Sequence, residues 1–150
     1  MLREDLQNAL KTAMLNKDTL TTGAVRMIIA GQKEKDVEAR GKGLERASDA
    51  DLLAMMQGMI KQRNDSIKMF LEGNRPELAE KEKAEIAIIE RFLPKQMNEA
   101  EMAQVIQELI KETQAASMKD MGKIMGALKA KYAGQMDMGK ANGIIKNYLS

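Results

Sequence analysis

The chain has 150 residues, of which 44% are hydrophobic and 31% charged, a globular balance with room for one ordinary domain or two small ones. Lysine and arginine total 24 against 22 acids, so net charge alone points to no polyanionic partner, and any electrostatic case must rest on local distribution. The absence of Cys, His and Trp excludes disulfides, thiolate or imidazole metal sites, cysteine nucleophiles and histidine bases, and no cofactor is expected.

Ala, Leu, Met, Lys, Glu and Gln dominate, which are strong helix formers, and no stretch alternates with period two. With aromatics at 3%, the 14 methionines fill a plastic helical core or present an adaptable binding surface. The charged N-terminus is not followed by a long apolar run, and nothing approaches the roughly 20 apolar residues of a membrane span. These features predict a cytoplasmic protein with no membrane partner.

A first helix is predicted over 2–17, with Leu2, Leu6, Leu10 and Ala13 or Met14 on one face. Asp18 or Thr19 caps a second, whose buried stripe is read as Leu20, Ala24, Met27, Ile28 and Gly31. It gives way to a mobile polar loop over 38–47, where Gly41-Lys42-Gly43 lacks the spacing of a phosphate loop. Ser48 with Asp51 opens a long third helix to about Leu71, closed by Gly73. Pro76 starts a fourth, which ends before Pro94. Three shorter helices follow near 99–113, 118–131 and 138–149, capped by Asn98 with Glu101, Ser117 with Asp120, and Asp137. No internal repeat is evident. The expected fold is all-α, with a four-helix N-terminal subdomain (1–93) and a three-helix C-terminal subdomain (94–150).

Arg63 is out of place. At about 100° per residue it falls within about 40° of Leu52, Met56, Met59, Ile67 and Phe70, so it needs carboxylates there. On the next helix Glu82 and Glu85 fall within about 40° of the side defined by Leu78, Ile89 and Leu93. Arg63 is therefore expected to pair with Glu85, Glu82 or both, as a register-fixing ion pair. The alternative is a small enzyme in which the two carboxylates do acid–base work, although no nucleophile or cofactor loop lies nearby.

Charge gathers at the end of the chain. From Ser117 onward six lysines face two acids, Asp120 and Asp137. In the sixth helix Met121, Ile124, Met125, Leu128 and Tyr132 share one side. Lys119, Gly122, Lys123, Gly126 and Lys129 share another, spanning roughly 20° to 140° from Met118. Each helical glycine costs about 1 kcal/mol relative to alanine, so two on one face suggest close approach to the backbone. The seventh helix buries Ala141, Ile145, Tyr148 and Leu149 and gathers Gly139, Gly143 and Lys146 elsewhere. Two readings stand: the glycines let helices pack closely, or they admit a phosphate backbone that the lysines neutralise. Without a stacking platform the second reading favours structured RNA over single strands, and no DNA sequence recognition.

The segments Lys61-Gln62-Arg63-Asn64-Asp65-Ser66-Ile67, Lys81-Glu82-Lys83-Ala84-Glu85-Ile86, Phe92-Leu93-Pro94-Lys95-Gln96 and Lys119-Asp120-Met121-Gly122-Lys123-Ile124-Met125-Gly126 resemble, in order, the signatures of the GatB/YqeY family. Thr19 to Ile29 resembles that family's second helix, so the likeness covers essentially the whole chain. It implies two all-helical subdomains. It also implies kinship with the tail domain of the tRNA-dependent amidotransferase B subunit, which contacts the tRNA body and is not the catalytic part. The resemblance thus implies a module for tRNA or an aminoacyl-tRNA-handling complex, with Gly122, Lys123 and Gly126 carried over as RNA-facing. Glutamine-dependent carbon–nitrogen ligase activity would be inherited from the larger enzyme, and no catalysis is expected here. The alternative is a protein-interaction module that docks on a tRNA-handling enzyme through Met-rich helical surface.

Overall fold

A computed structural model describes residues 1–132 and 134–149. Among them are seven α-helices and no strand: α1 (Leu2–Leu15), α2 (Thr19–Gly41), α3 (Asp49–Glu72), α4 (Pro76–Glu90), α5 (Glu99–Thr113), α6 (Met121–Tyr132) and α7 (Met138–Leu149). The chain is all-α, and it divides into two compact units, Met1–Pro94 and Lys95–Ser150, each described here by itself. Among the described residues no helix is long and apolar enough to cross a membrane.

Local chemistry sets the helix starts. Asp18 caps α2, its carboxylate accepting the Thr21 N–H at 3.1 Å and the Thr21 hydroxyl at 2.7 Å. Reciprocal capping boxes open α3 (Ser48 with Asp51) and α5 (Asn98 with Glu101), and Pro76 occupies the first turn of α4. A third box, Ser117 with Asp120, holds a 3₁₀ turn over Met118–Asp120 that leads into α6, where a single helix from 118 was expected. The helix ends use left-handed residues: Lys17, Asn74 and Gln114 all have φ near +55°. Gly73 closes α3 as expected, with φ −82°, and the left-handed residue is the next one, Asn74, whose short polar side chain tolerates it. The loop expected over 38–47 begins later, since α2 stays helical to Gly41.

In the first unit the core gathers Leu2, Leu6, Ala24, Val25, Ile28, Ile29, Leu52, Met56, Ile88 and Ile89. A fully buried side chain of this size contributes about 1.5–3 kcal/mol through burial. The stripe of α2 is rotated from the expected one: Leu20 and Met27 are exposed, while Thr21, Val25 and Ile29 are buried. Gly31 faces α3, and a methyl group there would lie 2.6 Å from Met55 Sδ, so that flexible side chain would have to shift to admit it. On α4 the buried residues are Ala79, Ile88 and Ile89, and Leu78 is exposed, not buried. The second unit has its own core of Met102, Ile106, Leu109, Ile124, Leu128, Met136, Ala141, Ile145 and Leu149. Tyr148, expected in that core, is 46% exposed.

Candidate functional site

The basic face is built on α6 and α7. The apolar positions Ile124 and Leu128, and Ala141, Ile145 and Leu149, are drawn into the second unit's core, which fixes how each helix is rotated. That rotation leaves Lys119, Gly122, Lys123, Gly126 and Lys129 exposed, together with Gly143 and Lys146. A methyl group placed on Gly122, Gly126 or Gly143 would meet no atom of the described residues within 4 Å beyond its own chain neighbours and helical turn. Among the described residues of the second unit no side chain closes on these glycines, which argues against the close-packing reading. Bare helical backbone lies open between lysines.

The two acids of the segment are engaged locally. Asp120 accepts the N–H groups of Ala116 at 2.9 Å and Ser117 at 3.3 Å. Those two backbone donors, Ala116 first, hold its carboxyl below the usual range, and the Lys123 charge adds to this. Asp137 accepts from Gly139 N at 2.8 Å and Lys140 N at 3.3 Å, at the start of α7. Among the described residues, Lys131 makes the one ion pair of the region, with Glu112 at 4.0 Å, and both partners are exposed, so it contributes little. The remaining lysines keep their charge for solvent or a partner.

The second cluster lies in the first unit. Arg63 is 7% exposed, and its Nε donates to Glu85 Oε2 at 3.0 Å with Glu82 Oε2 at 3.9 Å. The structure thus brings α3's misplaced cation to both carboxylates of α4, with Glu85 the closer. Arg63 also donates to the Met59 carbonyl at 3.3 Å and points Nη2 at Met27 Sδ, 3.4 Å away. Glu85 is committed to the guanidinium, which suits fixing α3 against α4.

A third polar cluster escaped the sequence reading. Arg3 on α1 makes a two-pronged pair with Asp36 on α2, at 2.8 and 2.7 Å, and donates to the Ala47 carbonyl at 2.8 Å. Asp36 Oδ1 also accepts the Ala47 N–H at 2.9 Å. The Arg3 hydrogen bonds, then the Ala47 N–H, hold the Asp36 carboxyl far below the ordinary carboxylate range. This clamp ties α1, α2 and the loop before α3 together. Its signal was available: on α2 Asp36 stands seven and eight positions past Ile29 and Ile28, on the buried side.

A family model described as "Yqey-like protein" matches residues 3–149. The chain belongs to the YqeY-like protein family. Among curated YqeY relatives, "Altered inheritance of mitochondria protein 41, mitochondrial" of Lachancea thermotolerans is 40% identical over 89 residues, covering 59% of this chain and 46% of the relative. Its counterparts in Candida glabrata and Saccharomyces cerevisiae are 39% and 35% identical over 88 residues, each covering 59% of this chain and 47% and 46% of the relative. The chain spans about half the length of the curated relatives it matches. Their names are mitochondrial, which overturns the cytoplasmic location expected from the sequence. That expectation rested on missing leader and membrane features, and such absences carry no information about compartment.

Proposed function

We propose that this YqeY-like chain binds structured RNA, tRNA first, through the lysine-flanked glycine face of α6 and α7, and performs no chemistry of its own. The observation that carries the reading is open helical backbone at Gly122, Gly126 and Gly143 beside exposed Lys119, Lys123, Lys129 and Lys146. A sugar-phosphate chain can approach such a strip and be neutralised without any base being read. The mitochondrial names of the relatives make a mitochondrial tRNA pool the first ligand to try, with cytosolic tRNA beside it.

A tRNA shift assay across a salt series tests this. Binding should weaken steeply with salt, and Lys119→Glu combined with Lys123→Glu should abolish it. Absence of binding even at low salt ends the RNA reading. Ammonia release from glutamine by the chain alone should stay at background; turnover that disappears in Glu85→Gln would move the function to the Arg63 cluster.

A second reading, docking on a tRNA-handling enzyme, is supported by large apolar side chains left open on the first unit: Leu15 at 74%, Met69 at 71% and Leu71 at 52% exposure. RNase-resistant capture of synthetase or amidotransferase subunits, lost in Met69→Glu, would favour it.

A further inference from the structure

Set against α7 at an offset of 17 residues, the step from Asp120 to Asp137, α6 reveals a short duplication that the sequence reading missed. Asp120-Met121-Gly122-Lys123 aligns with Asp137-Met138-Gly139-Lys140, then Gly126 with Gly143 and Lys129 with Lys146. Each copy reads Asp-Met-Gly-Lys-x-x-Gly-x-x-Lys.

The structure extends the match beyond identity. From Met121 to Lys131, and from Met138 to Tyr148, every aligned pair has the same degree of burial. Ile124 and Ala141 are buried, as are Leu128 and Ile145; the glycines and lysines of both copies are exposed. The two helices present the same surface in the same register against the same core.

Folding does not require this surface twice. The core is served by the apolar positions alone, and each helical glycine is unfavourable by about 1 kcal/mol relative to alanine. Among the described residues of the second unit, Gly122, Gly126 and Gly143 touch nothing that would forbid a larger residue. A repeated, locally unfavourable and open pattern points to one kind of ligand group met at two places.

We propose that α6 and α7 are two copies of one phosphate-contacting element, so that a ribose-phosphate chain is held at two equivalent points. This adds Gly139 and Lys140, the counterparts of Gly122 and Lys123, to the interface. Lys119 and Lys131 have no counterpart lysine, since Met136 and Tyr148 stand at those places, and they lie outside the repeated pattern. The inference rests on the RNA reading above.

The test uses the full chain, fluorescent tRNA and a salt series, with the wild type, Lys123→Gln/Lys129→Gln, Lys140→Gln/Lys146→Gln and the fourfold variant. All four lysines are exposed, and far-UV circular dichroism checks that each variant is folded. Each pair should lower the slope of log K against log salt by about 1.4 to 1.8, equally for the two helices, and the fourfold variant by the sum. If tRNA binds and only the α6 pair changes the slope, the duplicated element is overturned while the RNA reading stands. If the wild type shows no salt-dependent binding, the RNA reading itself fails and this inference with it.

Discussion

Replacing Asp36 with alanine tests whether the first unit depends on its three-part clamp. The change removes both prongs of the Arg3 pair, whose side chains are 18% and 12% exposed, and the acceptor of the Ala47 N–H. Breaking one side of a fully buried pair costs about 3–5 kcal/mol. Arg3 can turn partly to water here, so the lower end applies, and the orphaned N–H keeps the total near 3 kcal/mol. At roughly 1.5 kcal/mol per molar urea, the midpoint of the first unit should fall by about 2 M. Far-UV circular dichroism follows the helices, and the tyrosines Tyr132 and Tyr148 report the second unit separately.

The pH dependence gives the same clamp a second reading. The Asp36 carboxyl titrates far lower folded than unfolded, so the unfolded chain binds the proton first as pH falls. The stabilisation is fully present above the ordinary carboxylate range of about 4 and fades below it, towards the depressed folded value. The stability gap between wild type and Asp36→Ala should therefore narrow from about pH 4 downward. A midpoint shift under about 0.5 M, or a gap that stays constant to pH 2, would show that the clamp is a surface ornament.

Gly122→Ala with Gly126→Ala should raise thermal stability by up to about 2 kcal/mol, because nothing crowds the added methyls, yet weaken tRNA binding if backbone approach matters; a stabilised variant with wild-type affinity would leave the lysines without the glycines. Arg63→Met should destabilise the first unit by about 2–3 kcal/mol in urea unfolding by stranding Glu85, and adding Glu85→Leu should recover most of the loss; a larger loss in the double variant refutes the register role. Among the described residues Asn142 Oδ1 is buried without a hydrogen-bond partner where α6 carries Met125, so Asn142→Met should raise the melting temperature by several degrees, about 1 kcal/mol, on scanning calorimetry.

What the sequence made legible, and what it hid, follows from how many partners each feature needs. Helix starts were readable because a cap such as Ser48 with Asp51 needs only neighbours in the chain. Arg63 was readable because a cation in an apolar stripe demands a carboxylate, and the adjoining helix had two on its inner side. The α2 stripe was right at Ala24 and Ile28 but misjudged at Leu20 and Met27, which stand one step of the wheel from the buried Thr21 and Ile28; packing, not periodicity, chooses between such neighbours. Asp36 could be placed on the buried side of α2, but its partners Arg3 and Ala47 are distant in sequence and only the fold unites them. The glycines of α6 were ambiguous for a related reason: a bare helical face suits a neighbouring helix or an outside ligand equally well, and only their surroundings decide. Among the described residues of the second unit no side chain lies over Gly122, Gly126 or Gly143, so their cost to helix stability is not offset by packing there. A ligand that meets this surface would meet the lysines of both copies, which set the sign of the charge it must carry.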